Sequence, residues 1–164
     1  MTEQAGAEAK QKLWSLIKDI QVAMLTTDDT THLRSRPMVA SQKEFDGTLY
    51  FLTRASSPKA AEVGAEERVN VSYADAHQQN YVSLSGRAHL VRDRATLDAH
   101  WSEPARTWFP KGKADPDLAV LQVEVEEAEY WDAPSSTMLY AYGYAKAVLT
   151  GEAPDGGENK KVTL

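Results

Sequence analysis

The segment 80–92, NYVSLSGRAHLVR, decides the fold class. Its even positions from Val82 to Leu90 are apolar or small, and its odd positions from Ser83 to His89 are polar. A period of two is typical of a β-strand that buries one face and exposes the other. The segment therefore predicts a long, half-buried strand.

Five more segments, on both sides of this strand, are short and rich in Val, Leu, Tyr and Thr, and each is predicted to form a strand. They span residues 21–27, 32–41, 48–53, 68–75 and 118–131. The turn formers Asp46-Gly47 predict a hairpin between 38–45 and 48–53. The chain lacks the regular strand–helix alternation of a doubly wound parallel sheet, so we expect a mainly β, antiparallel barrel decorated with helices.

Helices are predicted between and around these strands. The first lies within residues 1–20, where apolar residues from Leu13 to Ile20 recur at helical spacing. Others are expected at 58–66, 93–101 and 135–149. Together these elements predict a single domain over residues 1–150. The polar, glycine-rich stretch 151–164 is expected to be a flexible tail.

Composition excludes several classes of function. The chain of 164 residues has no cysteine, which rules out disulfides, thiolate nucleophiles and thiolate zinc sites. A net charge of −6 makes it a poor partner for nucleic acids or anionic membranes. The start is polar and acidic, unlike a secretory signal, and no apolar run approaches the roughly 20 residues of a membrane span. A cytoplasmic location is expected.

Positive charge is concentrated between residues 32 and 59, where the net charge is +3 against −9 for the remainder. Arg34 and Arg36 alternate with serine and so project from one face of their strand. Thr53 ends the next strand, and Ser56-Ser57-Pro58-Lys59 opens a helix, whose N-terminus attracts phosphate groups. These features predict an anion site. A capped helix beside a solvated, charged strand is the alternative.

Other chemical motifs are weak or missing from the sequence. The histidines His32, His77, His89 and His100 lack the spacing of metal ligands, so no metal site is predicted. The sequence contains no nucleophile elbow, Walker loop or glycine-rich dinucleotide fingerprint.

Six short motifs carry a resemblance to a known family. They are, in order, Leu33-Arg34-Ser35-Arg36-Pro37-Met38, Leu49-Tyr50-Phe51-Leu52-Thr53, Ser56-Ser57-Pro58-Lys59-Ala60, Val82-Ser83-Leu84-Ser85-Gly86-Arg87-Ala88, Thr107-Trp108-Phe109-Pro110 with Gly112, and Glu129-Tyr130-Trp131. On these motifs, residues 20–131 resemble the pyridoxamine 5′-phosphate oxidase superfamily of FMN-binding split barrels. The resemblance is to its general stress protein branch.

The resemblance implies a split β-barrel of about six strands with peripheral helices, FMN as cofactor, and a homodimer with flavin sites at the subunit boundary. Arg36 matches the arginine that contacts the phosphate, although the spacing alone does not decide between Arg34 and Arg36. Trp131 matches a tryptophan that packs near the flavin from the second subunit. The implied cofactor-binding residues are Arg36, Pro37, Met38, Val39, Leu52, Thr53, Ser57, Lys59, Tyr81 and Trp131.

Departures from the family pattern bear on activity. The oxidases carry arginine where this chain has Pro58, and they carry an Arg-Leu-His substrate motif beyond the position of Trp131 that is missing here. We therefore expect the chain not to oxidise pyridoxamine phosphate. An FMN-dependent oxidoreductase, a flavin-binding sensor or redox buffer without turnover, and a split barrel that binds haem or a deazaflavin all stay open, and no catalytic residue is assigned.

Overall fold

The structure is a computed structural model that describes residues 3–65, 67–132, 137–153 and 158–164. Its helices are α1 (Glu3–Ile17), α2 (Pro58–Ala65), α3 (Arg94–His100) and α4 (Thr137–Thr150). Its strands are β1 (Val22–Asp28), β2 (Leu33–Val39), β3 (Thr48–Arg54), β4 (Arg68–Asp75), β5 (Asn80–Val91), β6 (Leu118–Asp132) and β7 (Glu158–Thr163). Short 3₁₀ turns span Glu103–Thr107 and Gly112–Ala114.

The strands form one antiparallel sheet in the order β2-β1-β4-β5-β6-β3, and β7 pairs with β6. An isolated bridge between Ala40 and Phe51 links the chain beyond β2 to β3, the strand at the opposite end of this order. The sheet therefore curls into a half-barrel, which confirms the mainly β, antiparallel architecture with peripheral helices. Each of the six predicted strands is present within two residues of its predicted bounds.

The predicted hairpin between 38–45 and 48–53 is wrong. β2 pairs with β1, and β3 pairs with β6, so the backbones of these segments are joined by the bridge and by a bond from Ser41 N to Tyr50 O rather than by a continuous ladder. The amide of Gln42 explains the difference, because its Nε2 donates to Thr48 O at 2.7 Å and its Oε1 accepts from Tyr50 N at 2.9 Å. A side chain thus occupies backbone groups that a hairpin ladder would use.

The end of the chain also differs from the prediction of a flexible tail over 151–164. Glu158–Thr163 instead forms β7, antiparallel to β6 from Glu127 to Asp132. The apolar side chains of Val162 and Leu164 pack against the main core, which fixes this edge strand. A strand with three charged residues and one core contact has too little alternation to be read from sequence.

Two hydrophobic clusters lie on opposite faces of the curled sheet. The main cluster joins α1 to the inner face, with Leu13, Leu25 and Phe51 completely buried. The second cluster covers β3 and β6 from outside and is formed by Leu97, Phe109, Leu118 and Val120. No helix in the described part of the chain has the length and apolar character needed to span a bilayer.

Gly86 lies at a break in register between β5 and β6, where the pairing shifts between Ser85 and Gly86. A Cβ at Gly86 would stand 1.9 Å from the carbonyl oxygen of Glu124, whereas a Cβ at Gly64 in α2 would meet nothing within 4 Å. The backbones of the two strands therefore approach closely enough that only glycine fits.

We expect Gly86→Ala to lower the free energy of unfolding by about 1–3 kcal/mol or more, the usual cost of overpacking. The matched Gly64→Ala should leave stability unchanged or raise it by up to about 1 kcal/mol, since alanine favours a helix. Urea denaturation followed by circular dichroism measures both. Equal midpoints for the two variants would contradict the close approach at Gly86.

Candidate functional site

The carboxylate of Glu62 is the centre of a charged cluster under the half-barrel. Glu62 lies in the second turn of α2 and is 9% exposed. It accepts hydrogen bonds from Arg34 Nη1 at 2.7 Å, from Arg36 Nη2 at 2.6 Å and from the hydroxyl of Thr27. Arg36 Nη1 in turn donates to that hydroxyl. One carboxylate therefore fixes both arginines. It binds Arg36 directly and also through the hydroxyl of Thr27.

Strand alternation explains why these side chains meet. Arg34 and Arg36 share the inner face of β2 with Met38, which is buried in the main core. The register places Arg36 opposite Leu25, and Arg34 opposite Thr27. β2 ends the strand order, and α2 contacts β1 beside it, so the arginines extend past the core toward the helix.

The pKa of Glu62 reflects these contacts. Burial alone would raise it, but the hydrogen bonds from Thr27 and Arg36 and the charges of the two arginines outweigh burial and hold it below its ordinary value. Lys59, one turn earlier, has its pKa lowered by burial and then by the charge of Arg36, which Glu62 only partly offsets. Three cations therefore face one anion, and the cluster keeps a surplus of positive charge.

Two buried hydroxyls stand close by in sequence, where β3 ends and α2 begins. Thr53 Oγ1 and Ser57 Oγ are both buried, and neither has a hydrogen-bond partner in the part of the chain that the structure describes. Thr53 as a residue is only 3% exposed. An unsatisfied buried hydroxyl costs about 1–3 kcal/mol, so two such groups beside a surplus of positive charge indicate a place for an anionic ligand.

The turn that carries Ser57 is held by Asp117, a residue that the sequence did not single out. Its carboxylate accepts from Ser56 N at 2.9 Å and from Ser56 Oγ at 2.6 Å, and its carbonyl oxygen accepts from Ala55 N at 2.8 Å. The Ser56 hydroxyl is therefore engaged, and Ser57 offers the free one. Asp117 fixes the start of α2 against the end of β3.

The remaining predicted residues lie in three different surroundings. Met38 is in the main core, and Leu52 packs against the second cluster. Pro37 and Val39 are exposed on the opposite face of β2 from Arg36. The predicted site residues therefore do not all converge within one chain.

Tyr81 and Trp131 form a separate pair. They lie directly opposite each other on β5 and β6, and each is 39% exposed. Their face of the sheet is also that of Pro37, but β1 and β4 separate β5 from β2. Three strand spacings amount to about 14 Å. Within one chain this aromatic pair stands apart from the cationic cluster.

The histidines take no part in the cluster. His32 is in a surface turn with Asp29, and the ring of His100 stacks on Tyr50 with centroids 4.0 Å apart. Burial lowers the pKa of His100. Across residues 3–65, 67–132, 137–153 and 158–164, no group of three histidine or carboxylate side chains could hold a metal ion.

Comparison with known proteins gives concordant matches. A sequence profile of the family "Pyridoxamine 5′-phosphate oxidase like" matches residues 8–155. General stress protein 26 of Bacillus subtilis is 28% identical over 138 residues, covering 79% of this chain and 93% of its own. Among solved structures, a candidate general stress protein 26 from Jannaschia sp. CCS1 superposes with a TM-score of 0.77 at 30% identity, covering 96% of this chain and 99% of its own.

A second solved structure is informative about ligands. The general stress FMN/FAD binding protein from Xanthomonas citri superposes with a TM-score of 0.70 at 28% identity, covering 79% of this chain and 92% of its own. A protein with a similar fold and sequence is thus described as binding a flavin nucleotide.

Replacing Glu62 with glutamine should destabilise the fold at neutral pH by roughly 1.5–3 kcal/mol, the range for a hydrogen bond to a charged group. Because the folded-state pKa of Glu62 is depressed, its contribution is present above the unfolded pKa and is lost as pH falls through the folded pKa. The difference in stability between wild type and Glu62→Gln should therefore narrow as the pH is lowered below 4.5, the ordinary pKa of a glutamate.

Urea midpoints at neutral and acid pH test this expectation, with Glu8→Gln on the exposed surface of α1 as the control. A gap that stays constant between the two pH values would show that the Glu62 carboxylate is not the stabilising group.

Proposed function

The chain belongs to the pyridoxamine 5′-phosphate oxidase-like family, and from that premise we propose that it is an FMN-binding protein of the general stress protein branch. One observation carries the proposal. Thr53 and Ser57 have buried hydroxyls with no hydrogen-bond partner among the described residues, and they come shortly before Lys59 in sequence, at the start of a helix whose charged cluster has a surplus of positive charge. Such a set of donors suits a phosphate dianion.

The residues of this chain fit the phosphate of FMN in number and chemistry. Arg36 and Lys59 would supply charge, while Thr53 and Ser57 would donate hydrogen bonds. Glu62 keeps Arg36 in place and cancels only one of three positive charges, so a dianion would bring the cluster near neutrality. Both Lys59 and Arg36 are partly buried, and phosphate contacts are strengthened where water is excluded.

A flat ring system needs apolar walls rather than charge. The segment Pro37–Val39 and Leu52 are the candidates near the cationic cluster in sequence, and Tyr81 and Trp131 supply exposed aromatic area elsewhere on the sheet. Since the two groups stand apart within one chain, we propose that the aromatic pair of a second copy completes each site. The functional unit would then be a homodimer with two sites at its subunit boundary.

The solvated side of the sheet supports this dimer. We define the outer face as the uncharged part of the side of β2, β1, β4 and β5 that points away from the main core: Leu33, Ser35, Pro37, Val39, Val22, Met24, Thr26, Asn70, Ser72, Ala74, Tyr81, Ser83 and Ser85. The same side of the sheet also carries Asp28, at the end of β1, and the paired Arg68 and Arg87, which lie beyond this uncharged part. A broad uncharged face that is exposed in one protomer is typical of a protein–protein interface.

We further propose that pyridoxamine phosphate is not the substrate. Where the oxidases carry a cationic substrate motif after the tryptophan, this chain continues with Asp132, whose carboxylate pairs with Lys12 at 2.6 Å. A carboxylate repels a substrate phosphate, and its cationic neighbour is already engaged.

When bound, FMN would supply electron-transfer chemistry, and the protein would supply binding, orientation and exclusion of water. No cysteine relay can take part, since the chain has none. An oxidoreductase and a flavin-binding sensor or redox buffer differ in one measurable respect. In anaerobic titration with NADPH, only a reductase loses the visible absorbance of its flavin.

Lys59→Met tests the phosphate site without disturbing the Glu62–Arg36 contact. Removing a cation that is repelled by Arg36 should leave the unliganded fold as stable as before, while FMN affinity falls roughly 10- to 150-fold, equivalent to about 1.5–3 kcal/mol. Quenching of FMN fluorescence measures the dissociation constant. Lys18→Met, at an exposed position directly after α1, is the control and should bind as wild type does.

Unchanged FMN affinity in Lys59→Met would place the phosphate elsewhere. Mass spectrometry of the ligand released from the purified protein decides among FMN, FAD, a deazaflavin and haem. Recovery of haem or of a deazaflavin would refute the proposed cofactor.

Thr53→Val is expected to have opposite effects on the stability of the unliganded protein and on its affinity for FMN. In the unliganded protein the valine should raise the free energy of unfolding by roughly 1 kcal/mol, because it removes an unsatisfied polar atom. The same change should weaken FMN binding about tenfold or more, since a donor to the phosphate is lost.

The matched control is Thr27→Val, because the Thr27 hydroxyl is equally buried but bonded to Glu62 and Arg36. Its replacement should destabilise the unliganded fold by about 1–3 kcal/mol. Thermal unfolding with and without FMN measures both effects. If Thr53→Val destabilised the unliganded protein as Thr27→Val does, the Thr53 hydroxyl would have a partner within the fold.

A further inference from the structure

Helix α4, Thr137–Thr150, exposes several large apolar side chains to solvent. Tyr142, Tyr144, Val148 and Leu149 are all exposed, Leu149 at 84%. From residue 141 to 150 only Gly143 is buried, and no described residue of α4 belongs to either hydrophobic cluster. Its sequence, TMLYAYGYAKAVLT, carries one formal charge, at Lys146. An apolar helix of this kind needs a surface to cover it.

The attachment of α4 gives it the form of an arm. It lies in the connection between β6 and β7, whose ends are paired directly, Asp132 opposite Glu158 and Trp131 opposite Asn159. The chain therefore leaves the sheet and returns to it at one point. Fourteen helical residues extend about 21 Å. The base of the arm is beside Trp131, at the end of the aromatic pair.

A matching surface exists on the same chain but is not covered by its own arm. Val22, Met24, Leu33 and Val39 of the outer face are all exposed, which they would not be if α4 lay across them. Val22, Met24 and Val39 have uncharged neighbours on the outer face, and the sequence of α4 carries one formal charge. In a chain with net charge −6, these are two surfaces of the same chemical character, and both lack a partner within the described protomer.

We propose that α4 packs against the outer face of a second copy of this chain, on the half formed by β1 and β2. The inference rests on the homodimer of the proposed function and adds to it a reciprocal exchange of arms. Two-fold symmetry makes each copy both donor and acceptor, so a single dimer covers both helices and both faces. Apolar residues on the arm then meet Val22, Met24 and Val39.

A lipid surface is the other class of partner for an exposed apolar helix, and the charges argue against it. Interfacial helices carry lysine and arginine along their polar face to engage anionic headgroups. α4 has Lys146 alone, and the chain as a whole is acidic. A second copy needs no such charge, since both surfaces are supplied by the same sequence.

Photo-crosslinking with isotope-labelled chains tests the exchange. Tyr144 is replaced with p-benzoylphenylalanine in unlabelled chains, which are co-assembled with ¹⁵N-labelled wild-type chains and irradiated. We expect crosslinked peptides in which the partner peptide is ¹⁵N-labelled and comes from residues 22–39. The same amino acid at Trp108, as exposed as Tyr144 at 72%, is the matched control and should not give these links.

Light scattering of the wild-type protein separates failure of this inference from failure of the proposed dimer. A monomer would overturn both. A dimer whose Tyr144 links are unlabelled on both sides, fall outside the outer face, or do not form would overturn the exchange alone.

A charge on the arm gives an independent measurement. Val148→Asp should raise the dimer dissociation constant at least about tenfold, because it buries a carboxylate, whereas Gln11→Asp, at an exposed position of α1, should leave it unchanged. An unchanged constant in Val148→Asp would overturn the exchange. Binding to phosphatidylserine vesicles that Val148→Asp abolishes, with the dimer intact, would assign the helix to a membrane instead.

Discussion

The buried carboxylate of Glu62 is the constraint on which the rest of the site depends. Without it, Arg34 and Arg36 on β2 and Lys59 on α2 would be three like charges with no anion between them. A buried ion pair contributes little net stability, because desolvation offsets its attraction. Its value here is geometric: it ties α2 to β1 and β2, and it leaves a positive surplus in a fixed position. Asp117 holds the start of α2, with Ser57, against the end of β3, where Thr53 lies.

Strand β2 serves two purposes through the simple alternation of its side chains. Arg34, Arg36 and Met38 point inward, to the cluster and the core, while Ser35, Pro37 and Val39 point outward to the uncharged face. A slip of one residue against β1 would exchange these faces and destroy both. The burial of Met38 resists that slip. The proposed ligand site and the proposed subunit interface would therefore depend on the same register, which links the two proposals physically.

Sequence periodicity was sufficient for the sheet, since each strand with several alternating core residues was predicted close to its true bounds. Periodicity does not predict the pairing of segments that is determined by a single side chain. Gln42 replaces a hairpin ladder with amide contacts, and β7 is held by Val162 with little apolar pattern of its own. Such pairings join residues far apart in sequence, and no local signal records them.

The same limit applied to the site. The excess of positive charge between residues 32 and 59 predicts the cationic residues of the site. Glu62, which binds two of them, lies one helical turn beyond this range and is not predicted by it. A search for an acid three or four positions after Lys59 would have found it. Asp117 gave no such signal, because it reaches the Ser56 turn across 61 positions of sequence. Spacing thus predicts which groups would contact a phosphate in the proposed site, but it does not predict which residues fix those groups in position.

A single protomer is incomplete in three respects that share one physical character. Among residues 3–65, 67–132, 137–153 and 158–164, two buried hydroxyls have no hydrogen-bond partner, the cationic cluster has more positive than negative groups, and apolar side chains of α4 and of the outer face are exposed. Each raises the free energy of the isolated chain, and a phosphate-bearing ligand or a second copy would lower it. By linkage, whichever of these binds the folded state also stabilises it. The unpaired groups lower the stability of the isolated chain, and the proposed ligand and the proposed dimer would restore that stability. Ligand affinity and subunit association would therefore be coupled.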